Sequence, residues 1–521
     1  MSMFLGLASA GVLAGAMISG STHQPAPVQP PADPPDVVCT SKAGQRIACP
    51  ANTSAGVAMV KSTGSTTCLL GKTWGYDDKG IWVSDGCSAT FALGEVKPVA
   101  GAAQAATPPP ATGNPQQVEP TDPNETWGLF DPGKGFLVGR SSVGELAISG
   151  YALVRYTNQT PGVQTFTDHL GGTRNVDGRH DIWPHRVMVF MKGWLGDKKL
   201  IYAITYWTVL DTAQNAIFGN IGYQFSRKFN LYAGLNGNPG TRSLQGSHPF
   251  WLGHDRVMAD EFFRPYFGSG VWAQGEVTPG LWYNVMIGGT NSILDVKSSQ
   301  LDRKFSAGAS TWWMPTTKEF GPRGAYGDWE WHDKLATRFG ASWTWSPEQR
   351  FTDSVTGNSQ NTTLRLADSV NLFEKGALAP GVTVNFADFT ILAIDAGMKY
   401  KGFFLQTEIF NRWLDQFEAD GPLPTGSVHD TGFYIQGAFF PVKHKLELYG
   451  LTSQIFGDKN SGFSNSSEYG VGANFYPTPS RNHRLNMQIL SVDRSPVSSS
   501  FGYYVGGQKG TTYAMSFSVF F

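Results

Sequence analysis

The stretch Gly510-Thr511-Thr512-Tyr513-Ala514-Met515-Ser516-Phe517-Ser518-Val519-Phe520-Phe521 decides the fold. Its odd positions from Tyr513 read Tyr, Met, Phe, Val, Phe, and its even positions are Thr, Ala, Ser and Ser before Phe520. Successive side chains of a strand point to opposite faces, so this is a strand with one apolar and one small, hydroxylated face. Its length suits a tilted strand crossing a bilayer, which takes roughly 9–11 residues. A soluble edge strand can alternate in the same way, so repetition upstream has to decide.

That repetition is present. Phe339, Ala341, Trp343 and Trp345 alternate with Arg338, Gly340, Ser342 and Thr344. Leu485, Met487 and Ile489 alternate with Arg484, Asn486 and Gln488, and Tyr469, Val471 and Phe475 with Glu468, Gly470 and Asn474. Short connections (Ser226–Lys228, Thr278–Gly280, Tyr400–Gly402) take turns with long ones (Thr157–His185, Asn236–Gly270, Val492–Lys509). Outer-membrane barrels have this pattern of short inner turns and long outer loops. The rule gives seventeen strands at first, and counting Val382–Phe386 separately restores an even eighteen. The fold class expected is an all-β, transmembrane antiparallel barrel of sixteen to eighteen strands over residues 127–521, with Pro315–Asp333 the least legible part.

Composition agrees. Only 16% of the 521 residues are charged, against about 25% in ordinary soluble domains, while there are 62 Gly, 34 Phe, 18 Tyr and 16 Trp. Mean hydropathy is −0.21, and no apolar run long enough for a membrane helix follows the N-terminus. A net charge of −1 argues against a nucleic-acid partner.

Residues 1–22 read as a signal peptide, with an uncleaved anchor as the competing reading because no basic residue precedes Lys42. Residues 23–36 are a Pro-rich linker. All four cysteines, Cys39, Cys49, Cys68 and Cys87, fall within residues 37–93. In an exported chain this reads as a disulfide-stapled β module, and no Cys-x-x-Cys or His there supports zinc. The short loops favour Cys39–Cys49 with Cys68–Cys87. Trp74, Tyr76 and Trp82 are either a sugar-stacking module surface or the core of a domain too small to fold unaided. Residues 94–126 are a Pro/Ala-rich tether, long enough to let the module sample peptidoglycan.

Asp260-Glu261-Phe262-Phe263-Arg264-Pro265, Trp272-Ala273-Gln274-Gly275-Glu276, Leu281-Trp282-Tyr283, Phe404-Leu405-Gln406-Thr407-Glu408, Gly432-Phe433-Tyr434-Ile435-Gln436-Gly437 and Glu468-Tyr469-Gly470-Val471-Gly472 resemble the phosphate-selective porin O and P family of Gram-negative outer membranes. The resemblance spans about residues 140–521 and implies a homotrimer of sixteen-stranded barrels that passes phosphate. Residues 37–93 are similar to a small secreted bacterial β module of unknown function, on Trp74-Gly75-Tyr76, Gly80-Ile81-Trp82-Val83 and Gly86-Cys87.

A charge on the lipid face costs about 2–4 kcal/mol at the bilayer midplane, so strand charges should point inward. The basic set is Arg155, Arg338, Arg365, Lys399, Arg412, Lys445 and Arg484, against Asp395, Glu408, Glu447 and Glu468. A basic lumen favours small anions, whereas pairing across strands would only solvate it. The third outer loop, Asn236–Gly270, with Arg242, His254, Arg256 and Arg264, is the expected constriction loop. His-Glu-x-x-His and Gly-x-Ser-x-Gly are absent, and no nucleophile accompanies His180-Asp181 or His254-Asp255, so no enzyme, cofactor or metal is expected. The expectation is an outer-membrane porin for small hydrophilic solutes that prefers anions. The alternative is a cell-wall or glycan-binding anchor acting through the module.

Overall fold

A computed structural model describes residues 36–53, 57–64, 66–77, 79–93, 135–209, 214–245, 249–289, 304–351, 364–498 and 503–521. The expected signal peptide, residues 23–35 of the first linker (23–36) and the whole second linker (94–126) lie outside these residues. The chain divides into two compact units, Met1–Ala111 and Thr112–Phe521.

The first unit contains two three-stranded antiparallel sheets. Val37–Thr40, Ser88–Leu93 and Val57–Ser62 form one, and Arg46–Cys49, Gly80–Ser84 and Trp74–Asp77 the other, each with its second-named strand in the centre. Disulfides join Cys39 to Cys49 and Cys68 to Cys87, the pairing that the short loops favoured. Cys39, Cys68, Trp74, Ile81, Val83, Cys87, Ala89 and Phe91 form the core.

In the second unit sixteen strands close a barrel: Glu145–Thr160, His180–Leu195, Asp197–Val209, Gln214–Ser226, Phe229–Gly237, Phe267–Thr278, Leu281–Gly289, Phe305–Trp313, Ala336–Gln349, Val384–Tyr400, Phe403–Ala419, Ser427–Val442, Leu446–Phe456, Ser466–Phe475, His483–Asp493 and Gly510–Phe520. Each pairs antiparallel with its chain neighbour, and closure pairs Thr511–Phe520 with Tyr151–Thr160. Phe136–Arg140 extends the edge of the first strand past the end of the last. Each of the sixteen wall strands is thus paired on both sides, which is what a wall facing a bilayer would need.

The count of eighteen is corrected to sixteen. Val384–Tyr400 is a single strand, so Val382–Phe386 is not a separate one. The parity break came from Met314–Leu335, a long connection at the short-turn end, where the rule expects a tight turn.

The terminal strand behaves as its alternation requires. Tyr513, Met515 and Phe517 are exposed on the outer face, whereas Thr512, Ala514, Ser516 and Ser518 are buried on the inner one. Phe339 and Trp343 point outward opposite buried Arg338, Ser342 and Thr344. Phe521 adds a last antiparallel step by exchanging backbone hydrogen bonds with Gly150 at 3.0 and 3.1 Å. Its ring lies over Gly150, where a Cβ would meet it at 2.5 Å, so the ring needs glycine there.

Candidate functional site: the barrel interior

The interior is built by the inner faces of the strands and by segments folded between them. Of the loop Asn236–Gly270, the described residues 238–245 and 249–266 lie against the inner faces of the strands. Its helix Met258–Phe263 is entirely buried. The first turn has backbone N–H groups with no partner within the helix, and the wall supplies acceptors for them. Met258 N–H donates to Glu468 at 2.9 Å and Ala259 N–H to Ser453 Oγ at 2.7 Å. Phe263 stacks on Phe410 at 5.0 Å and lies against Gly432, where glycine alone leaves room for its ring.

The rest of the loop is tied round the wall. Arg242 N–H donates to Glu408 at 2.8 Å, and its guanidinium lies 4.0 Å over the Tyr326 ring. His254 Nδ1 shares a hydrogen bond with Ser516 Oγ at 2.6 Å. Arg256 Nε donates to Ser243 Oγ at 2.9 Å, with its guanidinium 4.3 Å over Trp251. Arg264 grips Glu261 through two bonds of 2.9 and 2.7 Å. From the opposite strands, Asn474 and Asn486 donate to the Leu252 carbonyl at 3.0 and 3.1 Å.

A second insertion was not anticipated. Met314–Leu335 enters from the short-turn end. Tyr326 N–H donates to the Phe250 carbonyl of the constriction loop at 2.9 Å, and its hydroxyl meets that of Tyr434 at 3.0 Å. Arg242 Nη2 donates to the Gly324 carbonyl at 2.7 Å, so the two insertions meet inside the barrel. Glu330 bridges Lys399 at 3.5 Å and Arg481 at 3.2 Å. At the mouth, His332 lies between Asp328 and Glu319. Burial opposes its charge, yet hydrogen bonds to those two carboxylates raise its pKa to about 9. Asp328, Glu330 and His332 lie close enough to hold a cation. Their atoms are already committed to one another and to Lys399 and Arg481, so the set forms an ion-pair network. The only hint in the sequence was Asp328-x-Glu330-x-His332 set among Trp329 and Trp331.

The expected pore-lining residues separate into three groups. Arg338, Lys399 and Arg412 point inward and are paired: Arg338 with Asp395 at 3.1 Å, Lys399 with Glu330, and Arg412 with Asp430 at 2.5 Å. Arg155 and Arg484 also point inward. The first donates to Thr157 at 3.1 Å and lies over Tyr503, and the second donates to the carbonyls of Trp251 and Gly253. These five are at most 7% exposed, so water does not reach them as it would in an open pore. Lys445 is corrected, because it is exposed in the turn after Val442, and Arg365 is corrected only in its element: it lies in the loop after Gln349 rather than on a strand, and still lines a cavity with the strand residue Arg412. Alternation cannot assign residues beyond a strand end.

Apolar side chains fill much of what remains. Trp282 and Trp312 stack inside the wall, and Phe389, Ile391, Leu414 and Val428 join a core shared with the outer-loop residues Leu366, Leu372 and Phe373.

In the module, the three aromatics do not form one platform. Trp74 is corrected to a core residue, packed on Phe91 at 4.8 Å. Trp82 pairs with Ala48 and Gly75, and Arg46 covers its ring at 3.8 Å. Tyr76 is exposed but pairs with Ile81, which puts it on the sheet face opposite Trp82.

A family model described as "Protein of unknown function (DUF3011)" matches residues 36–108. No curated protein matches the chain. Similar solved structures include the outer-membrane-expressed OmpT of Vibrio cholerae, 10% identical over 74% of this chain and 100% of that one, with a TM-score of 0.43. Salmonella typhi OmpF in complex with daunomycin is 12% identical over 74% and 100%, with a TM-score of 0.42. An anion-selective porin from Comamonas acidovorans is 11% identical over 73% and 100%, with a TM-score of 0.41.

Proposed function

We propose that this chain is an outer-membrane channel of porin type for small hydrophilic solutes, in a closed state. One observation carries the reading: a sixteen-strand barrel, apolar outside, has a long outer loop folded across its lumen and fixed to the wall by polar and charged side chains. Barrels of sixteen to eighteen strands enclose more space than their own side chains fill, and the usual use of that space is an aqueous path. Here the path is closed by segments that are not part of the wall and can move without breaking its ladder.

Passage is anion-preferring, because Arg264, Arg365 and Arg412 line a cavity between outer loops and wall. Phosphate is the solute expected from the family resemblance, and a homotrimer the expected assembly. The module would then lie on the periplasmic side, within reach of peptidoglycan. Planar-bilayer recording on the full chain tests the reading. Infrequent small steps are expected, with a reversal potential favouring anions. Arg242→Ala, which frees one tie between the two insertions, should make openings at least several-fold more frequent. A silent bilayer for both proteins would overturn it.

The filled interior favours a second reading, in which the barrel is a mount for the module. Retention of the full chain on purified sacculi, lost when residues 37–93 are deleted, would support that reading; no retention would remove it.

A further inference from the structure

We propose that the barrel holds a discrete binding site for a small anion of halide size, formed by Arg264, Arg365 and Arg412 where the constriction loop, the loop after Gln349 and the strand Phe403–Ala419 meet. The three side chains line one cavity of about 20 Å³, closed on another side by Pro496–Ser498. That is room for one or two water-sized occupants.

Each arginine brings an N–H without a partner: Nη1 of Arg264, Nε of Arg365 and Nε of Arg412. Each also has at least one donor engaged elsewhere. Arg264 holds Glu261, Arg412 holds Asp430, and Arg365 Nη1 donates to the Ser369 carbonyl at 2.6 Å. Two of the three charges are therefore balanced. No carboxylate of the described residues lies within ion-pair distance of Arg365. One unbalanced positive charge and three unused donors around a single small cavity are a costly arrangement when empty, because buried charge needs a partner. A water has lone pairs for two donors and cannot offset the charge. A small anion can accept all three bonds, and charge-assisted bonds of this kind are the stronger ones. The cavity matches chloride or bromide, whereas phosphate would have to push the side chains apart.

The proposal deepens the anion-preferring reading but does not depend on conduction. Crystals of the full chain soaked in bromide test it. An anomalous peak is expected within hydrogen-bond reach of the three guanidinium groups, and it should vanish in Arg365→Gln. Heat-modifiable migration on gels will show that the Arg365→Gln barrel is folded, since Arg365 lies in a loop. In solution, chloride-35 line broadening by the detergent-solubilised protein should fall by at least half in Arg365→Gln. Arg365→Lys should give an intermediate value, because it keeps the charge and loses the Nε donor. No peak in the wild type, an unchanged peak in Arg365→Gln, or peaks at exposed lysines alone, an adventitious ion only, would each overturn the site. Bromide bound without conductance would remove the channel and leave the site; anion-preferring conductance without a peak would do the reverse.

Discussion

Among the described residues the module's hydrophobic core has eight buried side chains, three of them half-cystines, and each of its disulfides ties one sheet or loop to another. The barrel interior buries a far larger apolar cluster together with charged pairs such as Arg412–Asp430, Arg338–Asp395 and Arg186–Asp255, and it has no covalent link. A domain of the module's size cannot bury enough surface to hold itself, so covalent staples replace the missing core. The barrel wall is held by its backbone ladder, so what lies inside is free to serve another purpose. Loss of the staples should therefore destroy the module, while loss of interior contacts should loosen the insertions and leave the wall intact.

The largest effect expected is from reduction. Losing a native disulfide from a small domain costs about 2–5 kcal/mol, and two are at stake here. With dithiothreitol the module should become trypsin-sensitive at Lys42, Arg46, Lys72 and Lys79 while the barrel keeps its heat-modifiable migration. A module that stays resistant would show that its packing suffices without staples.

Next comes Asp430→Ala, which leaves Arg412 buried beside Phe262 without its carboxylate. Removing one member of a buried pair costs about 3–5 kcal/mol. Urea unfolding followed by gel migration should show the loss, and Asp430→Ala/Arg412→Met should recover part of it. Equal loss in both would mean that the pair matters through shape alone.

A smaller effect is expected at the seam where the barrel closes. Gly150→Ala puts a methyl at 2.5 Å from the Phe521 ring, an overpacking that costs about 1–3 kcal/mol unless the ring swings away. Phe521→Ala should rescue Gly150→Ala if the clash is the cause, and the same urea titration reads both.

How far the sequence could be read follows from what alternation encodes. The outer wall was legible because an apolar side chain recurs at every second position, as in Tyr513, Met515 and Phe517. The disulfide pairing was legible because both loops are short. The interior was only half legible. Arg338, Lys399 and Arg412 were placed inward, yet nothing in a strand pattern reports that Glu330 comes from an insertion to meet Lys399 or that Asp430 faces Arg412 from the next strand. Arg365 and Lys445 were misplaced because alternation stops where strands stop. Met314–Leu335 was missed because its turn-rich composition looks the same whether it covers the barrel mouth or enters it.

That insertion supplies the last and smallest test. His332 is held by Asp328 and Glu319, and its pKa is raised from 6.5 to about 9 despite burial. A raised histidine pKa favours the folded arrangement while the group is charged in both states. The stabilisation is therefore full below about pH 6.5, declines as pH rises through 9 and is lost above it. Lys399 works against the charge, and Glu319 and Asp328 with it. His444, packed on Trp329 at 4.9 Å, has its own pKa lowered, chiefly by burial, so it titrates below this window. Hydrogen exchange at the Lys401 amide, which donates to the His332 carbonyl at 2.8 Å, reports on the anchor directly. Beyond the ordinary base-catalysed rise, its protection should fall between pH 6.5 and 9 in the wild type. In His332→Gln it should be low and flat across that range. Gln keeps hydrogen-bonding capacity and loses the charge, so identical profiles would show that the imidazolium does not anchor the insertion, and the ties through Tyr326 and Glu330 would then have to hold it alone.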